Sequence, residues 1–126
     1  MAKLIIDTNF LMIPVQFKVD IFEEFRRIME TPFTLYIIDK TIDEISKLKQ
    51  KSKTKSAASV ALLSIRKYNL RIIPTSDPEK DVDSLILEKA KKCDFVATQD
   101  IALRVRLKKA GVHIITLRKK SFLALV

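Results

Sequence analysis

Residues 3–10 read Lys3-Leu4-Ile5-Ile6-Asp7-Thr8-Asn9-Phe10, a short apolar run that stops on a carboxylate. An apolar run without polar alternation is the pattern of a strand covered on both faces, as in a parallel sheet. The pattern returns along the chain. Phe33–Ile38, Arg71–Ile73, Phe95–Thr98 and His113–Leu117 are predicted strands. Helical periodicity fills the intervals. Phe17–Glu30 places Ile21, Phe22, Phe25, Ile28 and Met29 on one face. Ile42, Ile45 and Leu48 follow a cap at Asp39 or Thr41. Lys47–Lys55 carries a lysine at every second position and reads as a solvated turn. Ser56–Tyr68 is apolar around more than half its circumference, so it lies deep in the core or meets another chain. Glu79–Lys92 turns Val82, Leu85, Ile86 and Ala90 inward, and Ile101–Ala110 ends at Gly111. The order β-α-β-α-α-β-α-β-α-β predicts an α/β fold. It is a three-layer α/β/α sandwich with a mainly parallel central sheet of about five strands. Such folds bind ligands at the carboxyl ends of their strands.

Composition bounds what can happen there. The chain has 126 residues, the size of a single domain spanning 1–126. Its 48% apolar and 31% charged residues suit a packed core and exclude disorder. A net charge of +9 attracts polyanions, nucleic acid first and an anionic membrane surface second. No apolar run approaches the roughly 20 residues of a membrane span. The N-terminal apolar stretch meets Asp7 too soon for a secretion signal, so a cytoplasmic location is expected. The single Cys93 excludes an internal disulfide and a cysteine zinc site, and the single His113 excludes a multi-histidine site. In this strand and near-core setting, Cys93 and His113 read as structural residues. A metal would be held mainly by carboxylates, which points to Mg²⁺ or Mn²⁺. Gly appears once, Asn twice and Gln three times beside abundant Lys and Glu, the bias of thermophilic proteins.

Acids gather at the predicted strand ends of this basic chain. Asp7 follows the first strand. Asp39 follows the second, with Glu44 about one turn into the next helix. Asp77 follows the third, with Asp81 and Asp83 opening the helix beyond, and Asp100 lies just past the fourth. Two carboxylates about 4 Å apart repel by roughly 4 kcal/mol at an effective dielectric near 20. A convergent set therefore calls for a cation or a proton. Helix capping accounts for Asp39, Asp77 and Asp100 taken singly. It accounts poorly for Asp7, because the segment Thr8–Pro14 contains a proline and opens no clean helix.

These residues resemble a family. Ile5-Ile6-Asp7-Thr8-Asn9-Phe10 looks like the opening strand of PIN-domain nucleases. Glu44 in Ile42-Asp43-Glu44-Ile45, Asp83 in Asp83-Ser84-Leu85-Ile86 and Asp100 in Val96-Ala97-Thr98-Gln99-Asp100 match in order. The resemblance spans nearly the whole chain. It is strongest to the ribosomal-RNA-processing branch of archaea and eukaryotes, in Phe17-Lys18-Val19-Asp20-Ile21-Phe22 and Glu44-Ile45-Ser46-Lys47-Leu48. It implies a metal-dependent endoribonuclease that hydrolyses RNA phosphodiester bonds with one or two Mg²⁺ or Mn²⁺ ions. Asp7 and Asp100 would be direct ligands, and Glu44 and Asp83 would bind a second ion or orient metal-bound water. Thr98 and Asn9 would hold carboxylates by hydrogen bonds, with turn chemistry an equal account of Asn9. Many relatives have a further acid two residues after the fourth, and here that residue is Ala102, which weakens a second metal site.

An acidic centre repels phosphate, so affinity must come from its surroundings. Lys18, Lys47, Lys49, Lys51, Lys53, Lys55, Arg104 and Arg106 are the candidate RNA contacts, with Lys108 and Lys109 beside the last two. The partners expected are RNA, single-stranded or a structured ribosomal precursor, and a second copy of the chain. Three other functions compete: a toxin-type nuclease with an inhibitory partner, a catalytically weak RNA-binding module, and a phosphoacceptor receiver domain. The last is disfavoured by the absence of paired acids after the first strand.

Overall fold

Leu4, Ile5 and Ile6 are all completely buried. Alternate side chains of a strand point to opposite faces, so both faces must be covered. The computed structural model describes residues 1–126. Its strands are β1 (Ala2–Ile6), β2 (Phe33–Ile38), β3 (Arg71–Ile73), β4 (Phe95–Ala97), β5 (His113–Arg118) and β6 (Phe122–Leu125). They form one sheet in the order β3-β2-β1-β4-β5-β6. All neighbours are parallel except β5 and β6. The helices are α1 (Ile13–Phe17), α2 (Ile21–Ile28), α3 (Asp39–Lys49), α4 (Lys55–Lys67), α5 (Val82–Lys89) and α6 (Ile101–Lys109), with a 3-10 turn over Thr8–Met12. No helix is long and apolar enough to cross a membrane.

The two faces divide as the strand period requires. Leu4, Ile6 and Ile37 pack with Phe10, Phe25, Ile45 and Ala58. Ile5, Ile38 and Val96 pack on the other side against Leu85, Ile86, Leu103 and Leu107. The three-layer, mainly parallel architecture is the expected one, with six strands in place of five. β6 is the added strand. The segment before it, Arg118-Lys119-Lys120-Ser121, has none of the Gly or Asn that marks a tight hairpin. Leu123 of β6 is fully buried, and α2 satisfies its outward backbone groups. Arg27 Nη2 donates to Leu123 O at 2.6 Å, and Leu123 N–H donates to Glu24 Oε1 at 2.9 Å. These contacts occupy the outer backbone of β6 at its midpoint, which blunts it as a template for another chain.

Other expectations change in detail. Phe17–Glu30 is not one helix. Lys18 ends α1 in a left-handed conformation, φ 56°, and Asp20 caps α2 through the N–H groups of Phe22 and Glu23. Lys47–Lys55 is only partly a turn, because Lys47 and Lys49 close α3 and Lys55 opens α4. The helix expected over Glu79–Lys92 is shortened to α5 by the Asp81 cap. Cys93 is exposed in a left-handed turn, φ 73°, not near the core. His113 is exposed and lies against Phe95, with ring centroids 4.8 Å apart. The α4 helix combines a buried and an open side: Ala57, Ala58 and Ala61 are buried, while Leu63 is 67% exposed. Leu123→Ala should lower stability by about 2–5 kcal/mol, read by urea denaturation, because it empties a fully buried site under β6.

Candidate active site

The register of β1 against β4 builds the centre. Ile6 pairs with Ala97, and the next residue on each strand, Asp7 and Thr98, stands at the carboxyl edge. Asp7 N–H donates to Ala97 O at 3.0 Å, which carries the pairing one step past the strands. Thr98 Oγ1 then donates to Asp7 Oδ2 at 2.8 Å and accepts the Asp100 N–H at 3.1 Å. Asp100 caps α6, its Oδ1 accepting the Leu103 N–H at 2.9 Å. Contrary to expectation, Asp7 also acts as a cap, accepting the Thr8 N–H at 2.8 Å at the start of the 3-10 turn. Pro14 does not prevent this, because it falls in the first turn of α1, where no N–H is needed.

Thr8 joins the site although the sequence pattern does not single it out. Its buried hydroxyl donates to Glu44 Oε1 at 2.6 Å and is hydrogen-bonded to the Thr41 hydroxyl at 3.2 Å. Thr8 thus holds the α3 carboxylate against the β1 carboxylate. Asn9 is exposed and contributes to the cleft wall instead. The one local signal for Thr8 is its place directly after a strand-end Asp, where a short hydroxyl side chain can reach the adjacent helix.

Asp83 closes the cluster from α5. Its carboxyl is pushed up to about 6, first by burial, then by the neighbouring carboxylates of Asp7 and Asp100. Burial also raises Asp7. The Thr98 and Thr8 hydrogen bonds oppose that, and Glu44 and Asp100 reinforce it. The four expected acids are therefore linked in space, Glu44 through Thr8 and Asp7, and Asp83 through Asp100. No group of three acids, histidines or cysteines is already arranged to hold a metal ion. The donor set does fit one. It consists of oxygens alone, as a hard divalent cation prefers, and its mutual repulsion is the kind that a cation relieves.

The remaining strand-end acids do other work. Asp39 accepts the Thr75 N–H at 2.8 Å and the Thr75 hydroxyl at 2.6 Å, tying the end of β2 to the exit from β3. These bonds hold its carboxyl below the usual range. Asp81 caps α5 through Ser84 N–H at 2.9 Å while facing the cleft. Asp77 accepts the Glu79 N–H at 3.0 Å in an exposed turn.

Asp7, Thr8, Asn9, Glu44, Asp81, Val82 and Asp83 line a cleft of about 170 Å³. A second hollow of about 310 Å³ shares Thr8, Asn9 and Glu44 with it and adds Lys47, Leu48 and Lys51. Lys47 stands about one turn after Glu44 on α3, and Lys51 reaches the same hollow from the turn that follows the helix. Lys49, Lys53 and Lys55 are exposed and line neither hollow. Arg104 is half-buried one turn after Asp100, and Arg106 is exposed on another side of α6. Lys18 is remote. It borders the largest cleft, about 810 Å³, between the α1–α2 junction and α4, walled by Pro14, Val19, Phe22, Val60, Leu63 and Tyr68. Tyr68 is stacked on Phe22 at 3.8 Å between centroids, which occupies one of its faces. The acidic cluster takes no part in that cleft.

Known proteins share this architecture. Residues 4–120 match the family model described as PIN like domain. Ribonuclease VapC4 of Methanocaldococcus jannaschii is 29% identical over 128 residues, covering 97% of this chain and 95% of that protein. A solved structure described as the PIN domain endonuclease Utp24 is similar with a TM-score of 0.81 and 25% identity, covering 98% of this chain and 90% of that one.

The Asp83 carboxyl predicts a pH signature. It binds its proton more tightly folded than unfolded, so the metal-free protein loses this stabilisation as pH rises from about 4 through about 6. Asp83→Asn has no such group to titrate. In EDTA, its thermal midpoint should gain on the unsubstituted protein across that window, read by calorimetry at a series of pH values. A constant gap would place Asp83 away from Asp7 and Asp100.

Proposed function

The chain belongs to the PIN-like domain family, and from that membership we propose that it is a metal-dependent endoribonuclease. The observation that carries the proposal is the hydroxyl scaffold that gathers the acids, Thr98 joining Asp7 to Asp100 and Thr8 joining Glu44 to the same strand end, inside a chain of net charge +9. A basic protein that concentrates unpaired carboxylates at one strand edge has arranged them for a cation. Asp7 and Asp100 would hold it, with Asp83 and Glu44 holding a second ion or orienting water. Bound there, Mg²⁺ or Mn²⁺ would activate water and neutralise charge on the phosphoryl oxygens. The chain supplies the rest. Thr98 fixes Asp7 relative to Asp100, and Thr8 fixes Glu44 relative to Asp7. Lys47 and Lys51 offer positive charge along the hollow that opens beside Glu44.

The substrate we propose is RNA, single-stranded at the site and drawn from a ribosomal precursor. The motifs in Phe17–Phe22 and Glu44–Leu48 support that choice. A second reading is a toxin-type nuclease held in check by an inhibitory protein. The apolar cleft of about 810 Å³ favours it, since it offers a seat for a partner well apart from the acids. A homodimer would use the same face, where Leu63 is 67% exposed. Growth arrest on expression of the chain alone supports the toxin reading, whereas a shifted pre-ribosomal RNA profile supports the first.

Cleavage of a labelled single-stranded RNA should vanish in EDTA and return with Mn²⁺. Activity indifferent to chelation would overturn the assignment. Of the lysines, Lys47→Ala with Lys51→Ala should weaken RNA binding and reduce its dependence on log salt by about 1.4, roughly 0.7 per lost contact. Lys49→Ala with Lys53→Ala should change either quantity far less, because those side chains line neither hollow.

A further inference from the structure

The β5–β6 hairpin tip carries three consecutive basic residues, Arg118, Lys119 and Lys120, all exposed. Ser121 N–H donates to Arg118 O at 3.0 Å and closes the turn. Lys119 and Lys120 have φ values of 51° and 54°. Two successive residues in the left-handed region are the signature of Asn-Gly or Gly-Gly, not of two lysines. Local turn chemistry therefore does not explain why lysines stand there.

Topology places this tip on the edge that holds the acids. β1, β4 and β5 are adjacent and parallel, and Ile6, Ala97 and Ile115 lie level across them. Asp7 and Thr98 come directly after β1 and β4. β5 continues three residues further in the same direction, to Arg118, or about 10 Å at roughly 3.3 Å per residue. The extension is tied to the acidic centre. Gln99, between Thr98 and Asp100, accepts the Leu117 N–H at 2.6 Å and the Thr116 hydroxyl through its Oε1. Strand β6 holds it from the other side, pairing Leu117 with Leu123 and Arg118 with Phe122. The tip is thus a rigid positive projection, one strand removed from β4. Lys47 and Lys51 lie on the opposite flank, beyond β1 and Glu44.

We propose that Arg118, Lys119 and Lys120 form a second phosphate-binding element, so that single-stranded RNA crosses the carboxyl edge between the hairpin tip and the Lys47–Lys51 hollow with the acids in between. This rests on the ribonuclease reading and adds to it the course of the strand. Positive charge on both flanks lets an acidic centre receive a polyanion, because the phosphates on either side of the reacting one are neutralised separately.

The test uses Lys119→Asn with Lys120→Gly, which removes both charges and supplies the residues that this backbone prefers. Binding of a short fluorescein-labelled single-stranded RNA is followed by anisotropy in EDTA over a salt series, beside the thermal midpoint. Affinity should fall roughly tenfold at low salt, and the slope against log salt should fall by about 1.4, while the midpoint holds or rises. Lys119→Arg with Lys120→Arg should keep the affinity. Unchanged affinity and slope in the Asn-Gly variant would overturn the proposal and leave the ribonuclease reading standing. Loss of binding in the Arg pair would also overturn it, since charge would not be the cause. If the unsubstituted chain neither binds nor cleaves RNA, the ribonuclease reading itself falls, and the cleavage assay with Mn²⁺ shows that separately.

Discussion

The Thr98 hydroxyl does two things at once. It donates to Asp7 at 2.8 Å and accepts from the Asp100 backbone at 3.1 Å. It can do so only because β1 and β4 are parallel neighbours in a register that ends both strands at the same level. A slip of one residue would turn every side chain of β1 to the other face and carry Asp7 into an apolar layer. Leu4, Ile5 and Ile6, apolar and buried on both faces, would tolerate the slip, so the cost of burying the Asp7 carboxylate is what opposes it. The packing of the core and the position of the acids are therefore one constraint seen from two ends.

Burial sets the character of the site. Asp7 is 5% exposed, and its carboxyl is raised although two donors contact it. Asp83 is raised as well, first by burial and then by the nearby charges of Asp7 and Asp100. By contrast, hydrogen bonds dominate at Asp39 and Asp81, and their carboxyls are lowered. The same residue type at similar strand-end positions thus divides into members whose carboxyl is lowered and members whose carboxyl is raised. What divides them is how many donors and how many acids each one faces.

The flanks complete the electrostatics. Of the alternating run, Lys47 on the last turns of α3 and Lys51 in the turn beyond it reach the hollow beside Glu44, and the other lysines do not. On the other side, the β5–β6 turn lifts Arg118, Lys119 and Lys120 at the cost of an uncommon backbone. The cleft beside α4 shares no residue with the two hollows around the acids.

The continuous apolar runs at 3–6, 33–38 and 113–117 were enough to specify a parallel sheet with helices on both faces, since such runs need cover on both sides. The order of Asp7, Glu44, Asp83 and Asp100 at strand ends and helix starts was legible for the same reason. Strand β6 was not. Its turn breaks the residue preferences that mark a hairpin, and it exists because Leu123 fills the core while Glu24 and Arg27 satisfy its backbone. The role of Thr8 was equally hidden, since its partner Glu44 lies 36 residues away. Local periodicity carries information about burial, and that determined the layers. Which acid faces which, and which lysine faces the cleft, depends on contacts between residues distant in the chain, and only the assembled sheet and its helices decide those.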